Sequence, residues 1–504
     1  MSDLDLFSFN LPPIVAEVHQ ALPATVHAWL VGGALRDAIL RRVVHDLDFA
    51  LDGDALAAAR ATANALGGAY YPLDSERGVG RVLLTRGDDQ YTLDFARLRG
   101  PDLASDLAAR DFTINAMAAE LGHLAALIDP LDGQRDLRAK VIRACRPASI
   151  ADDPVRGIRA VRLAAQFRFR LERRTLAEVR AQAGALANVS TERRRDEFMR
   201  CLAGQRPVAA VRSLQVLGLL PFVIPELAAL SGVSQSAPHE YDVWEHTLAT
   251  VRRLVDVLTV LQPVYDVDSA SDLTLGLVSL RLGRYRQALT GHLSTPISGE
   301  RSARELLVLA ALLHDIGKPS TRAVEPGGVI RFIDHERVGA SLAQQRLTEL
   351  RFSSDAIQRV SAVVANHLRP LQLANEPELT RRAIFRFFRQ AGAAGIDVVL
   401  LSLADFLGKY SGGPPPVEPW NKLLDVGAAL LQAYFEHPLE TVNPPAILTG
   451  DDLIETFGLP PGPQLGRLLV DLREAQAAGE VRSRESAMEW VRTQLAGGVE
   501  AGQG

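Results

Sequence analysis

The stretch Val31-Gly-Gly-Ala-Leu-Arg-Asp-Ala-Ile-Leu-Arg-Arg-Val-Val-His-Asp-Leu-Asp-Phe49 limits what the chain can fold into more than any other. Ahead of it, His27 to Val31 is a short apolar run suited to a strand, and Ala34 to Arg41 has helical spacing. Gly32 and Gly33 therefore fall at a strand-to-helix turn, where glycine lets the backbone approach a ligand closely. Amides that open a helix have no partner within it and carry its positive dipole end, so a polyphosphate suits the turn, with Arg36 one turn in as a charged clamp. The chain then returns as a strand. Side chains alternate along His45 to Leu51, so Asp46 and Asp48 project together while Leu47, Phe49 and Leu51 enter a core. Neighbouring carboxylates repel unless a divalent cation lies between them. Mg²⁺, which takes one or two carboxylates plus phosphate oxygens and waters, fits there beside a nucleoside triphosphate.

A chain of 504 residues is too long for one core and calls for three or so domains, and 47% hydrophobic content is that of a globular protein. A net charge of −5 excludes a uniformly basic coat, but Arg193-Arg-Arg195 and Arg381-Arg382 allow a nucleic acid to be held by a patch. Cys145 and Cys201 are the only cysteines, with no paired spacing. A disulfide framework or zinc–cysteine site is not expected, and a reducing cytoplasm is the natural compartment. The start Met-Ser-Asp-Leu-Asp lacks a signal-peptide pattern, and the apolar runs stop short of a membrane span, so no membrane is expected among the partners.

The Gly-Gly-x-x-Arg-Asp turn followed by Asp46-Leu-Asp48 resembles the signature of the tRNA nucleotidyltransferase and poly(A) polymerase family, bacterial class, within the polymerase-β-like superfamily. The block Asp106-Leu-Ala-Ala-Arg-Asp-Phe-Thr-Ile-Asn-Ala-Met-Ala118 is similar to the family's Arg-Arg-Asp-Phe-Thr-Ile-Asn-Ala-Met-Ala, with Ala109 in place of the first arginine. By that resemblance Arg110 contacts the nucleotide phosphates and Asp111 accepts from the ribose 2′-hydroxyl, selecting ribonucleotides. Asp94 is read as ending an extended run, a candidate third carboxylate near Asp46 and Asp48 or else a turn former. Asp129 to Leu137 resembles the turn that closes the head.

Asp153, Arg156, Arg159 and Arg162 follow one another at i, i+3 steps along one helix flank, drifting round it by the fourth. They resemble the family's Glu-Asp-x-x-Arg block, with Asp152 for Glu, in which Asp and Arg present a hydrogen-bonding pattern to the incoming base. Ser190 to Glu197 looks like a capped helix start and matches the family's neck helix. Residues 95–109 form a short connection between Asp94 and Arg110. In the family this is a flexible loop linked to the switch from cytidine to adenosine addition, and its shortening goes with addition of the two cytidines only.

A second constellation follows: His246, then His314-Asp315 closing the apolar run Leu306 to Leu313, then His335, His367 and Asp405. An imidazole and a carboxylate ending so apolar a helix are costly to bury unless paired or metal-bound. The set resembles the HD phosphohydrolase superfamily, which implies that His246, His314, Asp315 and Asp405 ligate a divalent metal, with His335 and His367 as candidates for a second metal site or for phosphate. An insert of roughly 262–303 separates the first two histidines. The run Gly413-Pro-Pro-Pro-Val-Glu-Pro419 reads as a linker, Thr449 to Arg484 resembles the C-terminal element that lies against tRNA, and residues after Leu495 read as frayed.

The expected fold is α+β: a small polymerase-β-like nucleotidyltransferase head with a mixed sheet (1–142), then all-α parts comprising a neck and body (143–232), an HD domain (233–412) and a linker with helical tail (413–504). The resemblance implies template-independent addition of C, with A as a further product, to the 3′ end of tRNA from CTP and ATP, with Mg²⁺ at Asp46 and Asp48 and a divalent metal in the HD domain. Related HD domains act as phosphatases, 2′-nucleotidases or 2′,3′-cyclic phosphodiesterases. A poly(A) polymerase is the alternative within the family. An HD hydrolase whose head only binds RNA is the alternative from another class, against which the intact carboxylate pair argues.

Overall fold

The computed structural model describes residues 11–264, 272–299, 301–411 and 413–500, and the side chains to 496. Part of the expected insert, 265–271 and 300, lies outside the described residues. The chain forms two compact units, 1–222 and 223–504.

The N-terminal unit is built on a seven-stranded mixed sheet. Its strands are β1 (His27–Val31), β2 (Asp46–Asp52), β3 (Ala69–Asp74), β4 (Val79–Arg86), β5 (Asp89–Arg97), β6 (Ala118–Glu120) and β7 (Leu127–Ile128), in the order β3-β4-β5-β2-β1-β6-β7. The β2–β5 pair is parallel and the others are antiparallel. The alternation read from the sequence holds on β2, where Leu47 and Phe49 are buried in the core and Asp46 and Asp48 project from the opposite face. Phe49 and Phe95, register partners across β2 and β5, stack with ring centroids 5.0 Å apart.

The alanine-rich helix Ala55–Leu66 packs on this sheet. It starts where the Asp54 carboxylate accepts from the Leu56 and Ala57 amides, and stops at Gly67, whose φ of 70° is left-handed. Asp94 lies within β5 rather than ending it, because the strand runs on to Arg97.

Beyond the sheet, the helix Val155–Phe167 packs on Thr191–Ala203 and Pro207–Val216. The expected boundary at 142 is bridged: Val141–Ile142 pairs in parallel with Arg170–Leu171, tying head and neck into one contact network. Ser190 flanks the helix Thr191–Ala203, but its hydroxyl makes no capping hydrogen bond, so the expected cap is absent.

The C-terminal unit begins about ten residues before the expected 232, because the turn Pro225–Leu230 packs on the helix Val243–Val260 and Glu226 pairs with Arg346 at 2.7 Å. It is mostly helical, as expected, with two short antiparallel strand pairs added: Pro296–Ile297 with Arg301–Ser302, and Arg322–Val324 with Ile330–Phe332. The proline run is a shorter linker than expected, since the helix Val417–Phe435 starts before Pro419, which the first turn tolerates. The last helix, Arg484–Glu500, continues past Leu495. One helical stretch among the described residues, Arg381–Gly408, is long and apolar enough to cross a bilayer, against the expectation that such runs fall short. Its most apolar window is 89% buried inside this unit.

Candidate active site and metal centre

Register brings the head site together. Val31, the last residue of β1, lies opposite Asp48 on β2, so the Gly32-Gly33 turn emerges beside the carboxylate pair. Gly32 has a φ of 78°, and an added Cβ would stand 3.0 Å from the Arg110 guanidinium and 3.1 Å from Asp48 Oδ2. The turn therefore needs glycine both for its backbone and for the space it leaves. Loss of water around Asp48 raises its carboxyl to about 6, with Asp94 and Asp46 adding to the rise and Arg110 and Arg36 opposing it. Asp48, held back from ionisation in this way beside a second carboxylate, has the character of a cation ligand.

Several expected ligand contacts are occupied by protein. Arg36 donates to Asp37 at 3.2 and 2.7 Å and to Asn115 at 2.5 Å, with its guanidinium over the Phe167 ring, so it braces the turn instead of standing free as a clamp. Asp111 is buried. It accepts from the Phe112 amide at 2.7 Å, from Asn115 Nδ2 at 3.0 Å and from Arg159 at 3.0 Å. Burial alone would raise Asp111, but Arg159, Asn115 and the Phe112 amide outweigh it and hold the carboxyl below its usual range. The amide of Gly32 donates to Met117 O, so of the two glycine amides expected at a phosphate this one is spent within the protein.

The hydrogen bonds continue as a chain from the turn to the neck: Arg36 to Asn115, Asn115 to Asp111, Arg159 to Asp111 and to Glu197, and Arg162 to Glu197 at 3.0 Å. Asp153, Arg156 and Arg159 line one cavity of about 950 Å³ with Arg97, Arg99 and Arg193. Arg193 donates to Asp153 at 2.6 Å, and Arg156 is held by the carbonyls of Ala109, Arg110 and Ser149. Arg162 does not join them. Six residues beyond Arg156 on a 3.6-residue helix, it faces about 120° away and lines a separate cavity.

In the C-terminal unit, His246, His314, Asp315, His335, His367 and Asp405 converge. His246 Nε2 is 2.9 Å from Asp405 and 3.3 Å from Asp315, His314 Nε2 is 3.1 Å from Asp315, and His335 Nε2 is 3.3 Å from the other Asp315 oxygen. All six are buried. Close helix packing at glycine permits this. A Cβ on Gly408 would lie 2.5 Å from Thr250 Oγ1, so the helices carrying Asp405 and His246 touch, and a Cβ on Gly317 would lie 2.2 Å from His335 O.

Short as these separations are, both His246 ring nitrogens, the Nε2 atoms of His314 and His335, and Asp315 Oδ2 lack hydrogen-bond geometry to any partner. Buried polar atoms left in that state are costly, and the donor set of imidazole and carboxylate fits a divalent metal. Two groups placed so that they could hold an ion are formed, His246–His314–Asp315 and Asp315–His335–His367, sharing Asp315, with the expected ligand Asp405 in neither. The His314 Nδ1, His335 Nδ1 and His367 Nδ1 atoms face backbone carbonyls at 2.8, 2.7 and 2.7 Å, which leaves each Nε2 as the ligating atom.

Two lysines join the cluster that the sequence reading did not assign to it. Lys318 Nζ lies 2.7 Å from Asp315 and donates to Gln235 at 2.6 Å, and Lys409 Nζ lies 3.7 Å from Asp405. Their i+3 and i+4 spacing from the two aspartates was a usable helical signal. Both lysines line a cavity of about 500 Å³ over the cluster, with His239 and Phe332. The Arg36–Asn115, Arg159–Glu197 and Arg81–Asp94 pairs carried no such signal, because their members lie on different elements.

Comparison with known proteins follows this geometry. The "Poly A polymerase head domain" matches residues 28–143, the "Probable RNA and SrmB- binding site of polymerase A" matches 168–230, and the "HD domain" matches 278–406. The chain is 34% identical to an A-adding tRNA nucleotidyltransferase of Deinococcus radiodurans over 92% of this chain and 94% of that one. It is 33% identical to a CC-adding tRNA nucleotidyltransferase of Thermus thermophilus over 91% and 92%. Among solved structures, a CCA-adding enzyme in complex with ATP shares the fold, with a TM-score of 0.59 and 20% identity over 96% of this chain and 94% of that one. The chain belongs to the bacterial tRNA nucleotidyltransferase and poly(A) polymerase family, with an HD domain in its C-terminal unit.

Proposed function

We propose that the protein extends the 3′ end of tRNA without a template, adding the two cytidines from CTP and releasing pyrophosphate. Asp46 and Asp48 would hold Mg²⁺, which when bound supplies the charge that aligns the triphosphate and favours ionisation of the attacking 3′-hydroxyl. Arg110, beside Gly32 and Asp48, offers positive charge to the phosphates. Asp153 and Arg156 offer acceptor and donor groups to the base edge in the large cavity. The Arg193 contact orients Asp153, and the three carbonyls orient Arg156, so the pattern offered to the base is fixed before it arrives.

The restriction to cytidine rests on one observation, the pinning of the short connection by Asp106. This buried carboxylate accepts from the Arg99 amide at 3.1 Å through one oxygen and from Arg110 at 3.1 and 3.0 Å through the other. Both ends of the connection are tied to one side chain, and Leu107 is fully buried next to it. A segment held in this way lacks the freedom to re-form the pocket for a purine. The two relatives, one named A-adding and one CC-adding, are almost equally similar, so overall identity does not decide between them. The test offers labelled CTP or ATP separately to tRNA transcripts lacking A, CA or CCA. Cytidine is expected on the transcripts lacking C, with no adenosine on the transcript lacking only A. Adenosine on that last transcript would overturn the restriction, and a long adenosine tail would favour a poly(A) polymerase.

The orphaned nitrogens of the histidine–aspartate cluster support a second reading, a metal-dependent phosphohydrolase centre in which the two residue groups sharing Asp315 would hold divalent metal. Lys318 and Lys409 would face a phosphate in the cavity above it. Incubating the full-length protein with Mn²⁺, Ni²⁺, Co²⁺ or Mg²⁺ and a 2′,3′-cyclic nucleotide tests it. Turnover with at least one metal is expected, and none with any would overturn it. A cytoplasmic location accords with both substrates.

A further inference from the structure

We propose that a cavity of about 360 Å³ lined by Arg42, Arg162, Arg200 and Arg206 is a subsite for a backbone phosphate of the RNA strand, separate from the triphosphate site. The inference rests on the reading of the protein as an RNA-extending enzyme. Four arginines line it, and among the described residues only one carboxylate, Glu197, pairs with any of them. Glu197 is shared further with Arg159, so it falls short of balancing the charge. The guanidinium groups of Arg42 and Arg206 have no hydrogen-bond acceptor and no carboxylate partner among the described residues; Arg42 rests only on the Phe167 ring, 5.1 Å from its centroid. Like charges gathered without counter-charge repel, and a bound anion relieves that repulsion.

Size and wall chemistry choose among anions. Ala165, Ala203 and Gly204 keep the wall small, Gln166 and Gln205 add amide donors, and no aromatic ring lines the cavity to stack a base. A phosphodiester fits this wall better than a nucleotide does. Phe167 also carries Arg36 on its ring at 4.7 Å, so one aromatic side chain touches both a basin arginine and the arginine bracing the Gly-Gly turn. Guanidinium is the group of choice for phosphate oxygens, which it meets in a planar fork.

Arg42→Gln, Arg206→Gln and the double variant of the full-length protein test the subsite, since neither residue belongs to the hydrogen-bond chain from Arg36 to Glu197. Binding of a tRNA transcript lacking CCA is followed by fluorescence anisotropy across several salt concentrations, alongside CTP incorporation and pyrophosphate inhibition. The double variant is expected to bind RNA about tenfold more weakly, with the slope of log affinity on log salt lower by about one per arginine removed. The KM for CTP at saturating RNA and the inhibition by pyrophosphate are expected to stay unchanged, and Arg42→Lys with Arg206→Lys to restore most of the affinity. Unchanged RNA affinity and slope would overturn the subsite. Weaker pyrophosphate inhibition with RNA binding intact would also overturn it, by assigning the basin to a free anion. The parent protein's incorporation of CTP reports separately on the function itself.

Discussion

Arg81 holds Asp94 by both carboxylate oxygens, with Nε–Oδ1 and Nη2–Oδ2 each at 2.8 Å, and Asp94 is the register partner of Asp48 across the parallel pair β2–β5. A third carboxylate therefore stands beside the pair on β2, but an arginine spends both its oxygens. A bidentate pair of this kind leaves little acceptor capacity for a cation. Asp94→Asn is expected to keep incorporation of CTP within about tenfold of the parent, whereas Asp46→Asn or Asp48→Asn costs about 10³-fold, the scale of losing a principal electrostatic group. Single-turnover rates on one tRNA transcript separate the two cases, and a loss at Asp94 equal to that at Asp48 would show that Arg81 releases it during the reaction.

Asp48, raised to about 6, makes cation binding depend on pH. A cation needs the ionised carboxylate, so acid opposes binding: affinity is full above about 6 and falls as pH drops through that value, with a proton displaced for each cation bound. At limiting Mg²⁺ the acid limb of the rate profile is expected near 6, moving to lower pH as Mg²⁺ approaches saturation. Initial rates over a grid of pH and Mg²⁺ check this. An acid limb that does not move with Mg²⁺ would assign it to another group.

The sheet was readable because alternation along His45 to Leu51 and the Gly-Gly turn are local signals, and the faces they define are those of β2. Partners were not readable. Arg36 was expected on phosphate, but it bonds to Asn115, which lies 79 residues on, and a spacing rule says which face a residue occupies without saying what the opposing element offers. The three-residue steps hold only from Arg156 on, because Asp153 lies ahead of the helix Val155–Phe167 with an extended backbone, and the drift of about 60° per step sends Arg162 to the other cavity. The histidine–aspartate set was legible as residue types in order. The sharing of Asp315 between two ligand groups was not, because it depends on the helix crossing at Gly317 and Gly339.

That sharing makes Asp315 and His367 unequal. Asp315 faces both ligand groups, while His367 belongs to one. Asp315→Asn is expected to abolish metal retention at both positions, and His367→Gln to cost one, read as metal per protein by inductively coupled plasma mass spectrometry after loading and desalting. Burial of an unpaired imidazole cluster then costs stability, so the Asp315→Asn protein should also melt at a lower temperature. Equal stoichiometry in the two variants would mean that a single position is filled.

Glu197 is the hub that ties the neck to the head. It is buried and accepts from Arg159 and Arg162 at 3.0 Å and from Arg200 at 3.1 Å, while Arg159 reaches on to Asp111. Burial alone would raise its carboxyl, but the three arginines together hold it below its usual range, so it stays charged. Replacing it by Gln keeps the shape and removes the charge, which leaves partly buried guanidinium groups facing an amide that can accept only through one oxygen. Breaking a buried pair from one side costs about 3–5 kcal/mol when both partners are fully desolvated, and the exposure of Arg200 lowers this to about 2–3 kcal/mol here. Urea denaturation of the parent and Glu197→Gln proteins measures the difference. Because Arg159 would turn fully to Asp111, CTP binding in the variant is expected to weaken along with stability. A Glu197→Gln protein as stable as the parent would mean that the arginines find other partners.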